Sequence, residues 1–160
     1  MRFRRGFLPM ALLLYVLGIS GPEAAEFNDG RIRLVLHERS GRFSLYYMTD
    51  IVKEKYEPFF VDQDPRTSSL SLIVNDRTYR LGEASAFRVS IDSTVPSRPA
   101  IVFESSFLLV SQEFSFIRSS TAALSGGILM TIRIENKNEQ ELAVGLRFLL
   151  DTYLGERRSS

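Results

Sequence analysis

The sequence predicts an all-β protein, an antiparallel β-sandwich, behind an N-terminal helical signal segment. Three observations carry that reading. Apolar and polar residues alternate through most of the chain, the period that buries one face of a strand and wets the other. The composition is rich in Phe, Tyr, Ile, Val, Ser and Thr, residues suited to a pleated, half-buried surface. Turn signals recur at short intervals, as they do in sandwiches and barrels. No strand–helix–strand rhythm is present, which argues against the α/β nucleotide-binding folds.

The chain begins with residues 1–20, which carry three arginines and no acid. They include the uncharged apolar run Phe7–Ile19, and the small, polar "SGPEAA" comes after that run. That is the layout of a secretory signal peptide. The apolar run is shorter than the roughly 20 residues a membrane span needs. Cleavage after Ser20 assigns 1–20 to the signal, and cleavage after Ala25 assigns 1–25. A single sandwich domain is expected over 26–156. Any membrane contact is expected only through the signal or anchor segment.

"NDG" at 28–30 is a turn. Ile32, Leu34 and Leu36 then share one strand face, with Arg33, Val35 and His37 on the other. "RSG" at 39–41 turns the chain into a second alternating run, Phe43, Leu45 and Tyr47 against Ser44, Tyr46 and Met48. Two such runs around a glycine-containing turn predict a β-hairpin. "DIVKEKYE" at 50–57 predicts a short helix capped by Thr49 or Asp50, and Pro58 and Pro65 break the segment after it. Leu70, Leu72 and Val74 predict a strand, "ND" at 75–76 a two-residue turn, and Tyr79 and Leu81 the returning strand. "AFRVSID", "AIVFES" and "FLLVSQEFSFIRS" read as further strands. "TYRLGE" at 78–83 is echoed by "TYLGE" at 152–156, which reads as a reused strand-exit turn. "GILMTIRIEN" places Ile128, Met130, Ile132 and Ile134 on one side.

The last patterned stretch, "ENKNEQELAVGLRFLLDT" at 135–152, has two readings. Asn138 and Glu141 have the spacing of a helix capping box. Leu142, Val144, Leu146, Phe148 and Leu150 have the spacing of a strand. A helix would hold Gly145 in its interior at a cost of about 1 kcal/mol, so the strand reading is preferred. Its expected partner is the preceding strand, in a C-terminal hairpin. In that hairpin Arg133 and Glu135 would face Arg147 and Asp151 in a cross-strand charge ladder.

Within this stretch, "TIRIENKNEQELAVGLRFLLDTYLGE" resembles the pattern I-x-I-x-N, short polar turn, V-G-L-R, apolar residues, D-T, then Gly, of uncharacterised bacterial secreted β-sandwich proteins. More loosely it is similar to strand pairs of galactose-mutarotase-like supersandwiches and immunoglobulin-like modules. The resemblance implies a fold and a compartment, and no reaction. The proteins it resembles continue past the D-T-x-x-G element, so the domain is expected to be truncated at its C-terminal end. Mutarotase chemistry needs histidines and a carboxylate around the sugar. The chain has one histidine, so that activity does not carry over.

Composition narrows the function classes. Removing residues 1–20 takes three arginines and turns a formal net charge of +1 into −2, so no basic field invites nucleic acid. Cysteine is absent, which excludes disulfides, a thiol nucleophile, a cysteine-ligated metal and a lipoprotein anchor. An exported chain without cysteine fits a bacterial periplasm or exterior.

Candidate chemistry is sparse. His37 reads as an exposed strand histidine rather than a general base. Asp62 and Asp64 read as an Asp-Pro turn rather than a calcium loop. Arg147 and Asp151 read as surface pairing rather than an acid/base pair. Tyr46, Tyr47, Phe59 and Phe60 are the aromatic alternatives to the absent tryptophan for stacking a sugar, with core packing the competing use. No catalytic, cofactor-binding or metal-binding residue is assigned, and no cofactor is expected.

The expected function is a secreted or periplasmic non-catalytic module that binds protein or glycan in an envelope assembly. A carbohydrate-active enzyme, or an inactive relative on a supersandwich scaffold, is the alternative. A small outer-membrane β-barrel is the third reading.

Overall fold

The computed structural model describes residues 24–60, 66–121 and 124–152. Residues 1–20, the expected signal segment, lie outside them. The described chain has strands and no helix, as the alternation predicts. The strands are β1 (Ala24–Asp29), β2 (Ile32–His37), β3 (Arg42–Asp50), β4 (Lys55–Pro58), β5 (Ser69–Val74), β6 (Arg77–Arg80), β7 (Arg88–Asp92), β8 (Ala100–Glu104), β9 (Leu108–Ile117), β10 (Gly127–Asn136) and β11 (Val144–Leu149).

They form three antiparallel sheets, ordered β1-β2-β3-β4, β11-β5-β6 and β10-β9-β8-β7. The sheets are open, so the described strands make a sandwich-like fold and not the closed barrel of the third reading. All three contribute to one core. Leu34, Leu36 and Phe43 come from the first sheet, Leu70, Leu72 and Val74 from the second, and Ile101, Phe103, Leu108, Val110 and Phe114 from the third.

Alternation explains which residues meet there. Leu108, Val110, Gln112 and Phe114 of β9 are buried in turn, while the residues between them are half-buried. Tight turns fix the register. Asn75 and Asp76 have φ of 46° and 67°, the two positive values a type I′ turn requires, and they join β5 to β6. The β2–β3 hairpin turns at Gly41, φ 62°, where a Cβ would press into the Phe103 ring. Beside it, Gly82 at φ 87° leaves β6 against the Ser40 carbonyl, where a Cβ would clash with that oxygen. The glycine of "TYRLGE" is thus a strand-exit turn; most of its echo at 152–156 lies outside the described residues.

Two expectations need correction. The helix expected at 50–57 is a hairpin: β3 runs to Asp50, and β4 returns from Lys55. Asp50 does act as a cap, but of a turn. Its Oδ1 accepts the amides of Val52 and Lys53 at 2.9 and 3.1 Å, which satisfies those donors without a helix. One strand has no counterpart in the sequence reading: Ala24 to Asp29 form β1 and pair along all of β2. The C-terminal hairpin is absent as well. β11 is a strand, but it pairs with β5, while β10 pairs with β9.

The connection between β10 and β11 shows why. Lys137 N donates to Phe107 O at 2.9 Å, pinning the chain to the β8–β9 turn as it leaves β10. Asn136 Oδ1 accepts from Asn138 N, so the apparent capping box is an Asx turn built on Asn136. Leu142 then packs against the core, and Ala143 exchanges hydrogen bonds with Asn75. The chain has crossed from one sheet to the other. Gly145 sits opposite Ile73 in an unbroken register.

Candidate binding surfaces

The crossover leaves β10 at the edge of one sheet and β11 at the edge of another, and a cleft opens where the three sheets meet. Its walls are Leu45 and Phe59 from the β3–β4 side, Ile128 and Met130 from β10, and Phe148 and Leu150 from the end of β11. Phe43 and Phe114, ring centroids 4.9 Å apart, line its depth. The cleft volume is about 360 Å³ and the lining is almost wholly apolar. Gln112 is buried close by but outside the lining, and its Nε2 donates to the Met130 sulfur at 2.8 Å.

The apolar rim extends along both edge strands. Ile134 of β10, Val144 and Leu146 of β11, and Leu150 beyond it are exposed on the cleft side of their strands, while Leu129 and Leu149 are exposed on the opposite faces. Val144, Leu146 and Phe148 stand level with Val74, Leu72 and Leu70 of β5, which are buried. They share a face; what differs is cover on the outer side. An apolar surface of this extent, next to two strand edges, is the usual mark of a contact site.

The charges named from the sequence do not assemble. Arg133 Nε reaches Glu113 Oε1 at 2.7 Å on β9, and Arg98 approaches the same carboxylate. Arg147 lies opposite Ser71 and is exposed. Asp151 is held by its backbone, whose N–H donates to Ser68 Oγ at 2.9 Å. The expected ladder fails because it needed β10 and β11 side by side.

His37 is half-buried rather than exposed, and its Nε2 is 2.9 Å from Ser44 Oγ across the β2–β3 hairpin. Ser44 is buried in mid-strand, with none of the exposure that a hydrolytic nucleophile at a strand-to-helix elbow has. Asp62 and Asp64 lie outside the described residues. Among the described residues no group of three His, Asp or Glu side chains is placed to hold a metal.

The four aromatics separate. Phe60 is a core residue, edge-on to Phe43, and Phe59 lines the cleft. Tyr47 accepts a hydrogen bond from Arg31 at 3.2 Å. Tyr46 stands opposite Arg33, whose guanidinium lies 4.2 Å from its ring centre and 4.9 Å from that of Tyr56. Sequence pattern alone does not single out Arg33 or Tyr56. The Arg33–Tyr46 contact is implied by the predicted hairpin once His37 is placed opposite Arg42; Tyr56 is hidden by the helix reading of its segment.

Set against known proteins, the chain matches no family model, no curated protein sequence and no solved structure.

Proposed function

We propose that the protein is a secreted or periplasmic, non-catalytic β-sandwich module of an envelope assembly, and that it holds an extended segment of a partner protein. The observation that carries the reading is the cleft between the β10 and β11 edges. It is apolar, it is flanked by strands whose outer edges have no partner among the described residues, and it adjoins exposed Leu146 and Leu150. An extended peptide with apolar residues at alternate positions supplies what such a site lacks. Its backbone pairs with an edge, and every second side chain enters the cleft. The volume suits one or two large side chains, well below the size of a folded surface. Export rests on the basic, apolar and small-residue order of residues 1–25. The proposed kinship is with bacterial secreted sandwich proteins carrying the V-G-L-R…D-T pattern.

Two measurements test this. Selection of the purified chain against a random dodecapeptide library should enrich peptides with alternating apolar residues, and Leu150→Lys, at the exposed wall of the cleft, should abolish their binding. Enrichment without alternation, or binding that survives the substitution, rules out the cleft. Fractionation of cells expressing the chain should place it in the periplasm or medium; retention in the cytoplasm rules out export.

A further inference from the structure

We propose that the protein forms a two-fold dimer through β7, whose outer edge pairs antiparallel with the β7 edge of a second copy. This edge lies away from the cleft, since β7 and β10 are the two ends of the order β10-β9-β8-β7. What the cleft holds does not enter.

β7 has β8 on one side and no hydrogen-bonded neighbour among the described strands on the other. Its sequence, Arg88-Val89-Ser90-Ile91-Asp92, complements itself when reversed. A two-fold axis at Ser90 sets Arg88 opposite Asp92 of the second copy, Val89 opposite Ile91, and Ser90 opposite Ser90. Opposite charges meet at both ends and apolar residues meet between them, as a self-complementary contact requires.

The two faces of β7 are already sorted for this. Val89 and Ile91 stand level with Phe103 and Ile101 of β8 and pack on the core, but are only half-buried because β7 ends the sheet. A second β7 continues that apolar face across the axis and covers their open flank. Arg88, Ser90 and Asp92 lie on the opposite face. Arg88 gives one guanidinium nitrogen to Glu104 Oε2 at 3.0 Å, yet its side chain stays 79% exposed. Asp92 accepts the Thr94 N–H and hydroxyl, at 3.0 and 2.7 Å, both through Oδ1. That leaves Oδ2 to receive Arg88 of the second copy.

The other terminal strands lack this match. Laid full length on itself, β6 sets Arg77 against Arg80, a like-charge contact. β10 sets Arg133 against Met130 and Glu135 against Ile128. β1 carries only acids, β11 carries only Arg147, and β4 ends in Pro58, which has no N–H to give. Charges on a sheet edge ordinarily repel a further strand. On β7 they select one.

Five residues a side make a small contact, so the dimer is reversible. Sedimentation equilibrium of the purified chain should show monomer and dimer exchanging with concentration. Arg88→Asp sets an acid against Asp92, and Asp92→Arg sets a base against Arg88. Each alone should weaken association by about tenfold or more. An equimolar mixture of the two variants should restore it, because both cross-pairs are again opposite in sign. The chain has no cysteine, so Ser90→Cys places a single thiol at the axis. Facing Cα atoms of paired strands lie about 4.5–5.5 Å apart, within reach of a disulfide. Oxidation should link that variant into a covalent dimer and leave Thr78→Cys, on the exposed β6 edge, monomeric. Circular dichroism checks that each variant is folded, and the thiol comparison decides alone where a charge reversal is not. Dimerisation through β7 is overturned if the chain stays monomeric up to about 1 mM, or if the folded single variants associate as well as the unaltered chain. It is equally overturned if mixing the folded variants restores nothing, or if Thr78→Cys is linked as readily as Ser90→Cys.

Discussion

Leu72 on β5 and Leu146 on β11 are cross-strand partners with side chains on the same face. Leu72 is 0% exposed and Leu146 is 45% exposed. Sequence pattern and strand geometry are the same for both. Leu72 has strands on both sides of it and the other sheets above, whereas Leu146 has β5 on one side only. Burial in a sandwich is decided by neighbours in two directions, and alternation reports only one of them. An apolar alternation on an edge strand therefore leaves side chains half in water, and the proposed cleft site rests on that exposure.

The largest expected effect tests that difference directly. Leu72→Ala should cost about 2–5 kcal/mol, since it opens a cavity among residues that cannot close around it. Leu146→Ala should cost less than about 1 kcal/mol, because the site is half in water already. Urea denaturation of the two variants checks this. Similar losses would mean that β11 is covered as well as β5, and the cleft reading would fail with it.

That contrast also marks how far the sequence can be read. The all-β class, the β2–β3 and β5–β6 hairpins and the strand character of 144–149 all rest on period-two patterning or a two-residue turn, signals that are local. Pairing of β11 with β5 rests on contacts made far apart in the chain, such as Ala143 with Asn75, and no periodicity encodes them. The preference for a hairpin between adjacent strands loses to the anchoring of Lys137 and the burial of Leu142. The charge ladder falls with it, because it depends on pairing rather than on the residues. At the candidate sites, Arg33 and Tyr46 are readable as cross-strand neighbours. The cleft is not readable, because it exists only between sheets.

A second test uses the backbone. Amides of β10 and β11 that point away from their partners have no acceptor among the described strands, whereas Leu109 to Glu113 of β9 and Ser71 to Val74 of β5 are flanked on both sides. Hydrogen exchange should show an alternating protected and unprotected pattern along β10 and β11, and continuous protection along those stretches of β9 and β5. A bound cleft peptide should protect the missing half of one edge strand and leave β2 untouched. Uniform protection in the free chain would show that the edges are already paired.

Smaller again is the turn that stands in place of the expected helix. Asp50→Ala removes the acceptor for two amides in an exposed turn, and should cost roughly 0.5–1.5 kcal/mol. Thermal denaturation measures it. A change within error would mean that water replaces the carboxylate without loss, and that the β3–β4 turn is held by the strands it joins.

The smallest effect lies at the point where the chain leaves β10 for β11. Glu104 on β8 accepts hydrogen bonds from Lys137 Nζ and Arg88 Nη2, both at 3.0 Å. The Lys137 bond, and then the Arg88 bond, hold its carboxyl below the ordinary glutamate range. A carboxyl depressed on folding adds stability that is complete above its unfolded pKa, near 4.5, and is lost as pH falls through the lower folded value. The group is exposed, so the gain is slight and screened by salt. Its position gives it consequence, because Lys137 also donates from Nζ to Ser105 O and from its backbone to Phe107 O. Protonating Glu104 releases one of the ties that start the crossover. Lys137→Met should move the Glu104 titration midpoint upward by NMR. In the unaltered chain, acidification below that range should speed exchange in β11 before it does in β9. Simultaneous loss in both strands would mean that the crossover is as firmly built as the core, and that edge and interior here differ in exposure without differing in stability.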